Sequence, residues 1–599
     1  MEKLFKDFPK ISKQEWEDII NKDLKGASYE KKLVWKTIEG LNFNPYYTAE
    51  DLKNLDFLNN QKDNNLQANN WLVVQDVIVE RATDANRKAI ELLSKGVDVI
   101  NFVFKKDSER NRNERAVSKL INGIDLEKTQ INFTAEDDVE SLVYMLGDIL
   151  SKKIKDVRGS ISFDPIGNYA FTGKLENTAL IFPFNFSKHA VNYEIFKINA
   201  VKFANAGASA VQQLAIALSI ASEYVDFATD NGFTVDDISK NISFEYGIGS
   251  SYFIEIAKFR AARHLWSKII EAYKPVNSDS NKTKIHAVTS RYNKTIYDPY
   301  VNMLRTTTEA MSAIIGGVDS LKVEPYDAVF SEPTEFSERI ARNQQIILKE
   351  EAYLDKVSDI SAGSYYVENL TSSLIEAAWK LFLEIEENGG FTKATQKGFI
   401  HNIIKETTQK RDVLIATGRQ TILGTNQYPN QEEKNVATKL QANNNQNAGE
   451  FELLKSYRGA EAFENLRQET EKSDKQPKVF MLTYGNPVMR KARADFSENF
   501  FAIAGFEIIN NIGFDTIEQG INESINKNAD IVVLCSSDDS YMEMAEAVKK
   551  SNLDKIIVVA GYPKNIDEIK QQGIEHFIHA KSNILEELKK FQSKTLQIK

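Results

Sequence analysis

Eight short β-rich apolar runs separated by helical stretches occupy residues 71–324, and five more βα units fill residues 479–599. A polar, asparagine-rich stretch lies between the two groups. Together these observations predict an α/β protein made of a (β/α)8 barrel followed by an open, flavodoxin-like parallel sheet. The expected organisation is an N-terminal arm (1–70), the barrel (71–428), a linker (429–478) and the second domain (479–599).

The barrel runs are 71–79, 97–104, a weaker one at 131–133, 160–163, 197–203, 241–245, 284–289 and 320–324. Each is rich in β-branched or aromatic residues and is bounded by polar or helical sequence. Residues 252–273 read as a helix because Phe253, Ile256, Ala257, Ala261, Leu265 and Ile269 fall on one face. Before the barrel, 13–21 and 49–55 read as short helices with no strand pattern strong enough for a core. They suggest an arm packed on another surface, with a flexible leader as the alternative. Residues 440–448 are too poor in apolar side chains to build a core, and 457–469 reads as one short amphipathic helix within the linker. The second-domain strands fall at 479–483, 506–510, 530–534, 555–560 and 576–578.

At 599 residues, 42% hydrophobic and 27% charged, the chain can bury substantial cores. A net charge of −10 without a long basic run disfavours nucleic acid as a partner. The single cysteine, Cys535, cannot form an internal disulfide, and cysteine-poor composition suits a reducing cytoplasm. No apolar run reaches the roughly 18 residues needed to span a bilayer. The sequence Met1-Glu-Lys-Leu-Phe-Lys-Asp-Phe-Pro9 is too polar and acidic for a signal or transit peptide.

Phe259, Arg260, Arg263 and Trp266 are followed by Asp298-Pro-Tyr300, Arg305-Thr306, Glu309-Ala-Met311, Phe336, Arg339, Arg342-Asn343 and Glu387-Asn-Gly389-Gly390. In this order and spacing, and with Leu423-Gly-Thr-Asn426 at the end, they resemble the barrel of the cobalamin-dependent acyl-CoA mutases, methylmalonyl-CoA mutase above all. The resemblance implies a barrel that encloses an acyl-CoA and a second domain that presents cobalamin to its mouth. The surviving arginines lie on helices and read as structural pairs and interface contacts rather than catalytic groups, because barrel catalysis occurs at the C-terminal mouth. Glu309, Glu335 and Glu338 are the nearby acids, and solvated charge is the alternative.

The same resemblance marks departures at the expected sites. The family's cobalt-ligating signature is an Asp, a His two residues on and a Gly three further, with the Asp orienting the imidazole. The matching loop here is 482–490, with Tyr484, Gly485 and Asn486 and neither His nor Asp. The nearest histidines in sequence are His401 and His576, and Cys535 reads as a small buried hydrophobe rather than a ligand. Asp538, Asp539 and the Tyr562-Pro563 step replace small cradle residues. The family's carbonyl-binding His falls on Lys202, whose ammonium could still polarise a carbonyl but reads better as structural. On the first strand Asp76 stands in a segment that has lost an Arg and a Tyr. On the seventh, Val288 and the bulk of Arg291 and Tyr292 replace the residues around a substrate-passing Gly, whereas His286 is kept and reads as structural.

No catalytic, cofactor-binding or metal-ligating residue is therefore expected, with Lys202, Asp76, Val288, Tyr484, Gly485 and Asn486 as degenerate positions. The resemblance implies a non-catalytic small subunit in a cytoplasmic heterodimer with a homologous large (alpha) subunit, which would carry adenosylcobalamin. An active mutase using Lys202 and base-on cobalamin, or a free-standing acyl-CoA-binding regulatory protein, are the alternatives.

Overall fold

The computed structural model describes residues 11–53, 55–59, 69–105, 113–136, 142, 143, 146, 158–175, 183, 184, 193–434 and 451–596. The expectations for residues 1–9 and 440–448 lie outside these. A closed barrel is formed by eight parallel strands: β1 (Leu72–Ile78), β2 (Val99–Phe104), β3 (Gln130–Ala135), β4 (Gly159–Phe163), β5 (Tyr193–Asn199), β6 (Ile242–Ile248), β7 (Lys284–Thr289) and β8 (Ser320–Lys322). β8 closes on β1 with Leu321 opposite Val73.

Side chains alternate across each strand. In β1, Val73 and Val77 are buried, while Leu72, Val74, Asp76 and Ile78 are only partly covered. Register carries that second set around the barrel: Asp76 lies opposite Asn101, Asn101 opposite Asn132, and Lys322 opposite both Val74 and Val288. Most (β/α)8 barrels fill the interior with branched apolar layers. Here the partly covered face carries Asp76, Asn101, Thr134, Ser162, Glu245 and Lys322, so the inward face is strongly polar.

The fifth strand corrects an expectation. It starts at Tyr193 rather than 197 and stops at Asn199, and Ala200–Asn205 is a helix. The apolar pattern runs on without a break, but the Asn199 side chain accepts from the Lys202 backbone N–H (3.2 Å), capping the helix and ending the strand. Lys202 therefore occupies a first helical turn rather than the strand.

The second sheet comprises β9 (Lys478–Thr483), β10 (Glu507–Ile509), β11 (Ile531–Cys535), β12 (Ile556–Ala560) and β13 (His576–Ile578). Its order, β10-β9-β11-β12-β13, is parallel throughout and is the flavodoxin-like arrangement. The expected linker helix is displaced to Glu461–Lys472, and it is not a linker element. Ala460, Phe463 and Leu466 join Val479, Met481, Phe501 and Phe591 in one buried core, and the Gln592 amide donates to Leu466 O (2.6 Å). Charge at its exposed positions hides this burial from a composition-based reading.

The segment preceding the barrel forms the helix Lys13–Asp23 and a two-stranded hairpin, Trp35–Lys36 with Asn42–Phe43. Phe43 and Tyr47 pack on Tyr366 of the helix Tyr365–Glu387, and Phe57 meets His264 edge-on. Among the described residues, no helix is long and apolar enough to cross a membrane.

Candidate functional site

Charged and polar side chains link strands around the barrel mouth. Asp76 accepts from the Asn101 amide (2.7 Å) and from Lys322 Nζ (2.9 Å). Lys322 also pairs with Glu324 (2.9 Å), and Glu324 with Arg291 (2.8 Å). In the other direction, Thr134 donates to Asn101 Oδ1 (3.0 Å) and lies 3.0 Å from the Ser162 hydroxyl. Burial alone would raise the Glu324 carboxyl, but Lys322 and Arg291 hold it well below the usual carboxylate range. Burial would lower Lys322, yet Asp76, Glu324 and Glu245 keep it well above an ordinary lysine. Asp76 is thus one end of a carboxylate–ammonium–carboxylate–guanidinium chain. Val288 is buried on the same inward face, opposite Lys322. Lys322, Glu324 and Asn101 were not singled out by sequence, although charge at inward positions of β-alternation was the available signal.

Lys202 sits apart from this chain. Its ammonium donates to Asn168 Oδ1 (2.6 Å), and the side chain reaches solvent. Surrounding protein pushes its pKa down, opposed by Asp164 at the end of β4 and Glu245 on β6. Asp164 is itself buried and occupied, accepting from the Asn199 and Gly167 N–H groups (both 2.9 Å) and from Tyr224 (3.0 Å).

His286 faces the opposite end of the lumen. It bonds Ser320 and Glu194 (2.8 Å to the latter), and Lys284 also reaches Glu194 (2.8 Å). Burial would raise Glu194, but His286 and Lys284 hold it well below the normal range. Both ring nitrogens of His286 are thereby engaged by protein groups.

The family-like arginines pair as follows. Arg260 is buried, donating to both Glu368 oxygens (2.9 Å each) and to Asp359. Arg263 bonds Asp319 (2.8 Å) and the carbonyls of Thr283 and Gly317. Two expected acids are assigned differently: Arg305 bonds Thr295, Asn302 and the Leu423 carbonyl, while Glu309 pairs with Lys294 (2.8 Å). Arg342 bonds Gln75, and Glu338 pairs with Lys88 (2.8 Å). Arg339 is exposed.

Residues 454–459 form a strap across segments that follow the barrel strands. Leu454 N–H donates to Ala170 O, Tyr457 N–H to Asn205 O and Gly459 N–H to Tyr292 O (2.9, 3.0 and 2.9 Å). The Tyr457 and Tyr292 rings meet edge-on at 5.5 Å, and Arg411 lies over the Tyr292 ring. Beyond it, Glu464 accepts from the Ile296 N–H (2.8 Å), and Tyr297 bonds Glu471 (2.8 Å).

In the second domain, Asn486 caps the helix Pro487–Ala502: its side-chain oxygen accepts from the Val488 and Met489 N–H groups (3.0 and 3.1 Å). Gly485 has φ +75°, and an added Cβ would come 3.1 Å from the Ser536 hydroxyl. The Tyr484 carbonyl accepts from that same hydroxyl (2.7 Å). Asp538 pairs with Arg493 (3.0 Å), Tyr562 is exposed, and burial raises the Cys535 thiol to about 12. Among the described residues, no three His, Cys, Asp or Glu side chains are placed to hold a metal ion.

The methylmalonyl-CoA mutase family profile matches residues 36–494. A protein named methylmalonyl-CoA mutase small subunit from Porphyromonas gingivalis is 42% identical, covering 99% of this chain and 98% of that one. A small subunit from Streptomyces virginiae is 29% identical, covering 91% of each. The mitochondrial methylmalonyl-CoA mutase of Homo sapiens is 30% identical, over 74% of this chain and 64% of its own. With barrel, second sheet and motif order all in agreement, the chain belongs to the methylmalonyl-CoA mutase family.

Proposed function

We propose that this chain is the small, non-catalytic subunit of a heterodimeric methylmalonyl-CoA mutase, a cytoplasmic complex that interconverts (R)-methylmalonyl-CoA and succinyl-CoA. The homologous large subunit would hold adenosylcobalamin and perform the chemistry. The observation that carries this reading is Asn486. At the loop where a cobalt-ligating imidazole would be needed, its side-chain oxygen is already engaged by two backbone N–H groups. Tyr484 and Gly485 supply no replacement ligand, and the residues present do not fit cobalamin. The ion-paired barrel mouth adds support, because an entering acyl-CoA would have to displace Asp76, Lys322, Glu324 and Arg291 from one another. The proposed domain limits are 1–70, 71–428, 429–478 and 479–599, with Glu461–Lys472 packing as part of the last.

Titration of the purified chain with hydroxocobalamin or adenosylcobalamin tests the reading. The corrin spectrum should stay unchanged, and turnover should appear only after the large subunit is added. A base-off spectrum with imidazole ligation would overturn the assignment. A second reading, an active mutase using base-on cobalamin, draws on the exposed Lys202 ammonium. It requires turnover by this chain alone and its loss in Lys202→Ala.

The partner assignment draws on the arm as well. The helix Lys13–Asp23 buries none of its residues, and Ile11, Ile19 and Trp35 are exposed. A covering subunit would remove this apolar surface from water. Deleting residues 1–45 should weaken the heterodimer, read as loss of the complex peak in size-exclusion chromatography with the large subunit. An unchanged peak would show that the arm is dispensable.

A further inference from the structure

We propose that Lys202 is a site of covalent acylation by acyl-CoA thioesters, set at the barrel mouth. Four other lysines of the barrel interior or its helices have a carboxylate within ion-pair distance. Lys258 is bridged to Glu255, Lys284 to Glu194, Lys294 to Glu309 and Lys322 to Asp76 and Glu324. Lys202 is held instead by the neutral amide of Asn168 at 2.6 Å, and its side chain is open to solvent. An amide aligns the nitrogen without fixing its proton as a carboxylate does.

The groups facing it from neighbouring elements are Asp164, at the end of β4, and Glu245, on β6. Asp164 is engaged by the Asn199 and Gly167 N–H groups and the Tyr224 hydroxyl, and offers little further neutralisation. Desolvation by the surrounding protein lowers the lysine pKa, opposed by Asp164 and Glu245, and the uncharged amine is the nucleophilic form.

The step balances without a redox partner. The Lys202 amine attacks the thioester carbonyl, a C–N bond forms, the C–S bond breaks, and the ammonium proton leaves with the thiolate as free CoA thiol. The product is an uncharged amide, or an acid-bearing amide when the acyl group is succinyl, so a positive charge disappears from the mouth. Acyl-CoA as the donor rests on the proposed function, whereas the acylation itself does not depend on whether the chain binds cobalamin.

The test incubates the full-length protein with succinyl-CoA and follows site occupancy by peptide mass spectrometry between pH 6.5 and 9. Lys282 and Lys491, whose side chains are 63% and 75% exposed, serve as internal references. Lys202 should be modified faster than either by a factor of about five or more, with its rate rising at lower pH than theirs. In 8 M urea the three rates should converge, and Lys202→Arg should lose that adduct while reference occupancies stay the same. Modification of Lys202 no faster than the references, or an advantage that persists in urea, overturns the proposal.

Discussion

Replacement of Arg260 by leucine is expected to destabilise the barrel by about 3–5 kcal/mol, because it strands a buried carboxylate. Glu368 is only 2% exposed along its side chain, and both its oxygens depend on the Arg260 guanidinium, helped by the Gly363 N–H (2.9 Å). The arginine lies on the helix Tyr252–Ala272 and the glutamate on Tyr365–Glu387, so the pair clamps neighbouring barrel helices. The double variant Arg260→Leu/Glu368→Leu should recover much of the loss, since only the half-buried Asp359 then lacks its partner. Urea unfolding followed by tryptophan fluorescence measures both, read at the barrel transition because the two units need not unfold together. A single variant within about 1 kcal/mol of the unsubstituted protein would show that the carboxylate finds other solvation.

The second large effect is on acid stability. Glu324 and Glu194 both titrate in the fold well below the normal carboxylate value. A lowered folded pKa contributes stability that is fully present above the unfolded value of about 4.3 and is lost as pH falls below it. Lys322, raised in the fold, contributes below its ordinary value and loses that contribution only in alkali, so it does not shape the acid limb directly. Melting temperature should therefore begin to fall near about pH 5 and keep dropping as the pH is lowered further. Lys322→Met should lower it at pH 7 and flatten the acid limb, because Glu324 then relies on Arg291 alone and Asp76 on Asn101. Parallel melting curves for the two proteins would exclude Lys322 as the source of the Glu324 depression.

The sequence by itself determined the number and type of the strands in both sheets and the motif order from Phe259 to Gly390. It also determined that the loop after β9, at 482–490, holds Tyr484, Gly485 and Asn486 and neither His nor Asp. These are local properties: β-branched runs, helical spacing and residue identity at fixed offsets, all carried within a few residues of chain. Tertiary structure decided the rest. Asn199 and its cap, rather than the unbroken apolar pattern, ended β5 and moved Lys202 onto a helix. The helix Glu461–Lys472, charged enough to read as linker, was placed by the packing of Phe463 and Leu466 into the second core. Glu309 found Lys294 rather than Arg305, and Asp76 met the Lys322–Glu324–Arg291 cluster only when the barrel closed β8 onto β1. Partners separated by more than two hundred residues leave no periodic trace in the chain, because their pairing is set by strand register and closure.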